Sequence, residues 1–446
     1  MQYKILITLI SIFISGKTFS QPYIYDSQSL DDNNKKWNNY RLNLQTGAVE
    51  FLERATRFAY SDDNTDQSIL IKESRLGELD IHNIKTGKHI ALPFENYARR
   101  VNWLVDAIPF NKLYLHITDC SGTYEQPMQP DKDKTYIIDK TTDMFIDSTD
   151  AFITTFKYGD YDKPFFSKDY SKMYFLKTDT GRTAFTIVST ANNKEIGTQY
   201  CGTSSDKGYE KYFVTGKNGV AVLKYLSEPR NESKQKLVVC DVDNGTIQSI
   251  ISFPWSFSLA LSFDTKLLFV EKIRTRHYYP ENSSLLATER IKTGEYYVFD
   301  TKTGGLINTM SLPKGGSLLL FENYPNTIYY TFHDDVPSAS KITPIATNTT
   351  IMSVVELFNW FSSTVLAQSI ANKEVVNSAF INQLQTHIDN AKNYYLQNDI
   401  ANAKKELTKF RERLGNTPQR KEGNPFVKKE GYKNLFFNAG YLMGRL

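Results

Sequence analysis

The sequence predicts an all-β propeller, six blades favoured and seven possible, followed by a small all-α helical bundle. Three observations predict it. A turn signal recurs at blade-sized intervals, a second turn signal sits between most of its copies, and the apolar period changes near residue 351 from that of strands to that of helices.

The first signal is an Asp, Asn or Ser that ends a β-forming run and is followed four residues later by Gly, Asn or Asp. Its copies are Asn43–Gly47, Asn83–Gly87, Asp139–Asp143, Ser189–Asn193, Asp241–Gly245 and Asp300–Gly304. The first residue can hydrogen-bond the backbone two residues on and so start a turn. The fifth position must accept a positive φ, which Gly tolerates best and Asn or Asp next. Runs such as Lys236–Cys240 and Tyr296–Phe299 flank the turns and are β-formers. The spacing between copies runs from 40 to 59 residues, at or somewhat above the period of propeller repeats.

The second signal is Ser or Pro, then Asp or Asn, then Lys, then a strand. It appears at Pro109–Tyr114, Ser167–Tyr174 and Ser262–Phe269. Two hairpins per period make four strands, which is one propeller blade. A further inner hairpin is expected at Ser317–Phe332, with no Asp-x-x-Thr-Gly turn after it, while Asn43–Gly47 has no inner hairpin before it. Pairing these two halves would close a six-blade ring and remove its exposed edges. A seventh blade would need Pro22–Ser27 to pair with Lys341–Ala346.

The paired signals between Tyr40 and Phe332 resemble the Tol-type and quinoprotein-like propeller repeats of exported bacterial proteins. The resemblance implies a fold and no function, since such propellers serve enzymes, adaptors and binding proteins alike. Quinone-cofactor propellers usually carry a Trp after the turn. No copy here does, so the expectation is no cofactor.

From Ile351 the apolar residues advance by three and four. The stripes are Ile351, Val354, Phe358, Phe361 and Val365; Ile381, Leu384, Ile388, Ala391 and Tyr395; Ile400, Ala403, Leu407, Phe410 and Leu414; and Tyr432, Leu435, Ala439, Leu442 and Leu446. Each lies on one helix face, which predicts a bundle of four short helices over 351–446. Asn398 or Asp399 can cap the third helix and Gly415 can end it, with a polar linker at Asn416–Pro425. Phe380–Leu384, Asp399–Ala403 with Leu407 and Phe410, and Tyr432–Asn438 with Tyr441 and Leu442 resemble the helical module of exported bacterial proteins often called the FIMAT domain. That resemblance implies an accessory module, with no chemistry to transfer.

The N-terminus reads as a signal peptide over residues 1–20: Lys4, then the uncharged run Ile5–Ile14, then Thr18 and Ser20 before Gln21. The run is short of the roughly 20 residues of a membrane span, no second such run follows, and no Cys stands at the cleavage point. An exported chain, periplasmic or extracellular and soluble after cleavage, is expected, with its propeller over 21–346. Three cysteines (Cys120, Cys201 and Cys240) make at most one bridge, and buried free thiols are the favoured expectation. Net charge is +4, but from Ile351 onward 13 Lys and Arg face 8 Asp and Glu. The basic excess therefore belongs to helices of mixed charge, which argues for a solvated face and against a nucleic-acid partner.

Chemistry is sparse. The six histidines (His82, His89, His116, His277, His333 and His387) form no His-x-x-x-His pair and no His-Glu-x-x-His helix. His333–Asp334–Asp335 sits at a strand end, where three consecutive residues cannot all face one ion, so no metal is expected. Asp241–Gly245 is similar to a calcium loop but lacks the later acidic position, and reads as a blade turn. No nucleophile elbow or phosphate loop occurs, and no catalytic residue is assigned. The segment Lys272–Thr293 reads as a long insertion whose Arg274, Arg276, His277 and Tyr278 could grip an anionic or sugar ligand. The reading leans away from an enzyme and toward a binding or scaffolding module for a protein or glycan partner. Its alternative is a carbohydrate-active hydrolase or lyase with its site at the channel mouth.

Overall fold

The computed structural model describes residues 23–29, 37–43, 49–55, 57–61, 68–74, 78–93, 99–107, 110–119, 134–149, 164–178, 183–201, 210–226, 235–252, 256–262, 264–278, 287–312, 317–320, 327–333, 340–346, 350–415 and 425–446. The expected signal segment and Cys120 lie outside them.

The described strands form seven antiparallel sheets, each in chain order, five of four strands and two of three. The first holds β1 (Tyr23–Ser29), β2 (Trp37–Asn43) and β3 (Val49–Ala55); the second β4 (Arg57–Ser61), β5 (Ile69–Ser74), β6 (Leu79–Asn83) and β7 (Lys88–His89). The third holds β8 (Arg99–Ala107), β9 (Lys112–Asp119), β10 (Lys134–Asp139) and β11 (Met144–Thr149). The fourth holds β12 (Phe165–Phe166), β13 (Lys172–Thr178), β14 (Thr183–Ser189) and β15 (Glu195–Cys201). The fifth holds β16 (Glu210–Lys217), β17 (Val220–Leu226), β18 (Gln235–Asp241) and β19 (Thr246–Ser252). The sixth holds β20 (Ser256–Leu261), β21 (Leu267–Tyr278), β22 (Ala287–Asp300) and β23 (Leu306–Ser311); the last holds β24 (Ser317–Leu320), β25 (Thr327–His333) and β26 (Ser340–Ala346).

The recurrent turn joins the third and fourth strands of each four-stranded sheet. Its fifth residue has positive φ in every such copy: Gly87 (69°), Asp143 (57°), Asn193 (55°), Gly245 (69°) and Gly304 (67°). The first residue acts as the spacing requires. Asp139 Oδ1 accepts from Thr141 N–H at 2.7 Å, Asn83 Oδ1 from Lys85 N–H at 2.9 Å and Asp300 Oδ1 from Thr303 N–H at 2.7 Å. A bulge follows at one fixed place, between Ile137 and Ile138, Ile187 and Val188, Val239 and Cys240, and Val298 and Phe299. β2 and β3 also carry a bulge, between Asn39 and Tyr40, two residues further from their turn. The second signal joins first and second strands. Ser167 and Ser262 hydroxyls donate to Asp169 and Asp264 and accept the amides of Lys172 and Leu267.

The turns also tie sheet to sheet. Asn83 Nδ2 and Thr86 Oγ1 donate to the Asp143 carboxylate at 2.6 and 2.9 Å, and Ser249 Oγ donates to Thr301 O at 2.6 Å. A Cβ on Gly245 would stand 2.8 Å from Tyr200 O of the neighbouring sheet, so close approach as well as φ demands glycine there. Asp243, within the turn that is similar to a calcium loop, instead accepts from the Tyr174 hydroxyl across the sheet boundary.

Two expectations change. Among the described residues neither the expected closing pair nor the pairing of Pro22–Ser27 with Lys341–Ala346 is found. Asn43 pairs with Tyr23, Thr331 with Ser317, and Ile342 with Thr331, so the N-terminal and C-terminal strands complete separate local sheets. Each end supplies its own third strand by a hairpin, which closes over a short loop at low entropic cost. Cys201 and Cys240 are disulfide-bonded, Cα atoms 6.2 Å apart, where free thiols were favoured. The bond staples the fourth sheet to the fifth, a juxtaposition that only the stacking of sheets creates.

The tail is helical as expected. One run comprises α1 (Val354–Trp360), a π-helical segment (Phe361–Leu366) and α2 (Ala367–Ala371); then come α3 (Ser378–Leu396), α4 (Ile400–Leu414) and α5 (Lys429–Arg445). Ser353 and Glu356 form a reciprocal capping box that starts α1 three residues after Ile351. Asp399 caps α4 by accepting from Asn402 N–H at 3.1 Å, and Gly415 ends it with φ 111°. Leu384, Ile388, Ala391, Ala403, Leu407, Phe410, Leu414, Leu435, Ala439 and Leu442 are all buried, as the stripes require.

Candidate functional site

The segment expected as a loop insertion is largely strand. β21 and β22 continue past their sheet as a two-stranded ribbon, with Arg274 opposite Ile291, Arg276 opposite Glu289, His277 opposite Thr288 and Tyr278 opposite Ala287. Residues 279–286 and the side chains of Arg276, His277 and Tyr278 lie outside the described residues. β-Branched and aromatic residues on both arms favour this extension over a loop.

Arg274 points to the helices. Its guanidinium donates to Glu374 Oε1 at 2.9 Å, in the connection between α2 and α3. The Glu374 side chain is 7% exposed, and burial pushes its carboxyl up from the usual range against the pull of Arg274 and Lys272. Lys272 is itself buried and bridges Glu295 at 2.9 Å. At the root of the ribbon, the Arg274–Glu374 pair thus docks the helical module, while Lys272–Glu295 ties β21 to β22.

That docking continues along the sixth sheet. Tyr441 on α5 accepts from Leu306 N–H at 2.6 Å and donates to Gly304 O at 3.0 Å, closing on the last recurrent turn. Its ring meets Phe299 edge-on at 5.7 Å, and Trp360 meets Tyr297 at 6.0 Å. Val222, Val239, Leu268, Val270 and Phe299 of the fifth and sixth sheets share one core with Leu357, Phe361, Phe410 and Leu442. Sheets and helices are fused rather than tethered.

Other buried titratable groups serve the sheets. Glu73 accepts from Val101 N–H of the next sheet at 3.2 Å, and Glu271 from Gly294 N–H at 3.3 Å, with burial raising the Glu271 carboxyl. His116 lies 3.1 Å from Thr135 Oγ1, and burial lowers its imidazole to about 4. In the helices, Glu406 joins His387 at 2.7 Å and Lys409.

One cluster escaped sequence reasoning. Asp80, His82 and His89 on β6 and β7 each offer a ligand atom within 4.8 Å of the others. The signal was present. A turn from Asn83 to Gly87 sets Asn83 opposite Lys88 and therefore His82 opposite His89. Motif spacings along the chain do not capture that cross-strand pair. His333 lies on β25 opposite Ser340, and Asp334 and Asp335 are outside the described residues.

Residues 363–444 match the family model described as the FIMAH domain, which starts within the π-helical segment and ends at the close of α5. The helical resemblance, read from the sequence as the FIMAT domain, is thus matched under the FIMAH name instead. A comparison with curated proteins finds no match. Among solved structures, the chain is similar to U3-55K (9% identity, 73% of this chain and 92% of that one, TM-score 0.41). It is also similar to the Dos1 propeller (10%, 72% and 89%, TM-score 0.40). A third is oligogalacturonate lyase from Vibrio parahaemolyticus (11%, 71% and 85%, TM-score 0.40). Among the described residues no helix is long and apolar enough to cross a membrane.

Proposed function

We propose that this chain is an exported, non-enzymatic binding or scaffolding protein that presents one propeller face to a protein or glycan partner. The observation that carries the reading is the common core of the helices with the fifth and sixth sheets, which makes a rigid composite platform. The seven sheets stand as seven blades over 21–346, and 351–446 is the docked helical module. In support, the first strands of successive sheets lie side by side, β12 by β16, β16 by β20 and β20 by β24, as inner strands around an axis do. The disulfide supports an oxidising compartment, in keeping with the expected signal peptide. Arg276, His277 and Tyr278 lie on the ribbon and contact the partner, while Arg274 anchors the ribbon to the helices.

The test is a screen of the full chain against acidic and neutral polysaccharides, scoring binding and cleavage separately. Saturable binding without new chain ends, weakened tenfold or more by alanine at Arg276, His277 and Tyr278, is the expected result. Cleavage of any polysaccharide that it binds overturns the reading and favours a lyase or hydrolase.

A further inference from the structure

We propose that Asp80, His82 and His89 bind a divalent transition-metal ion, Zn²⁺ foremost, on the outer hairpin of the second sheet. β6 alternates buried and half-buried residues, with Leu79, Ile81 and Asn83 inward and Asp80 and His82 on the other face. Two residues apart on one strand, Asp80 and His82 share that face. His89 joins them from β7, directly opposite His82. The hairpin turn, with Gly87 at φ 69° and its N–H on Asn83 O at 2.8 Å, fixes this register.

The donor geometry suits one ion. Two ligands of a tetrahedral Zn²⁺ at bonds of about 2.0 Å stand roughly 3.3 Å apart. Asp80 Oδ1 and His89 Nδ1 already stand 3.1 Å apart, and the imidazole rings of His82 and His89 have centroids 5.5 Å apart. Without an ion, a proton on Nδ1 bridges His89 to Asp80. Ligation through Nδ1 needs that proton on Nε2 instead, where water can receive it, since the His89 side chain is 75% exposed. Two imidazoles and one carboxylate select zinc, copper or nickel over calcium and magnesium, which prefer oxygen alone. Three protein ligands leave a fourth position, which solvent fills beside the exposed His89. The ion would pin β7, only two residues long, to the rest of its sheet.

Titration of the metal-stripped full chain with Zn²⁺ alone, followed by calorimetry or competition with a chromophoric chelator, tests this. One ion per chain is expected at this site, with affinity reduced at least tenfold in both His89→Ala and Asp80→Asn. His89 is exposed, so His89→Ala leaves the fold intact, and circular dichroism of the variants verifies it. Zn²⁺ should also raise the melting temperature of the wild type and not of His89→Ala. No binding, or binding that either variant leaves unchanged, overturns the site.

Discussion

Replacing Tyr441 by Phe removes one oxygen from the junction of sheets and helices. The ring is retained, so its edge-on contact with Phe299 at 5.7 Å and the apolar area that it covers persist. Two hydrogen bonds disappear, one from Leu306 N–H at 2.6 Å and one to Gly304 O at 3.0 Å. Burial pushes the Tyr441 hydroxyl up to about 12, so in the native protein it remains a donor throughout the physiological range. Each hydrogen bond contributes about 1 kcal/mol net, and a buried amide left without a partner costs about 1–3 kcal/mol. With Leu306 and Gly304 both buried, the variant should lose about 2–3 kcal/mol. Urea unfolding followed by circular dichroism reads this as a lower midpoint at unchanged slope. A loss below about 0.5 kcal/mol, the size of an ordinary surface substitution, would refute the buried, bonded role given to this hydroxyl.

Three further outcomes follow from the same geometry. Reduction of Cys201–Cys240, or replacement of both by Ser, should destabilise the protein by about 4 kcal/mol on the chain-entropy relation, since the bond closes a separation of 39 residues; thermal melts with and without reductant measure it. Arg274→Ala should cost about 1–2 kcal/mol at neutral pH, the exposure of the arginine discounting the usual cost of breaking a buried pair. That loss should shrink as pH falls and the Glu374 carboxyl, raised by burial, takes a proton. The imidazole of His116 is lowered to about 4 by burial, so the folded state binds fewer protons than the unfolded one below the ordinary histidine range. Stability is therefore full above pH ~6.5 and falls by about 3 kcal/mol as pH drops to ~4. A pH series of denaturation midpoints should lose this slope in His116→Gln.

The parts of the fold legible in the sequence are those set by local chemistry. A residue at the fifth turn position must take a positive φ, and Gly87, Asp143, Asn193, Gly245 and Gly304 do. Helix stripes and the Asp399 cap are local too, and the structure keeps them. The two end sheets were not legible in the same way, because β1 and β26 carry no turn signal of their own and pair by proximity along the chain. Cys201 and Cys240 meet only because the fourth sheet stacks on the fifth. Arg274 looked like a ligand residue because its partner lies 100 positions away on the helical module. His82 and His89 were within reach of hairpin arithmetic, since the turn between them dictates their pairing. Catalytic motifs are written in linear spacings, and a cross-strand pair falls outside them.

Whether helices and sheets form one platform is tested most directly by hydrogen exchange at the amide of Leu306. This N–H donates to the Tyr441 hydroxyl of α5 at 2.6 Å. If the helical module is docked as described, this amide exchanges slowly in the wild type and loses its protection in Tyr441→Phe. Exchange in the wild type at the rate of an open amide would contradict the fused architecture.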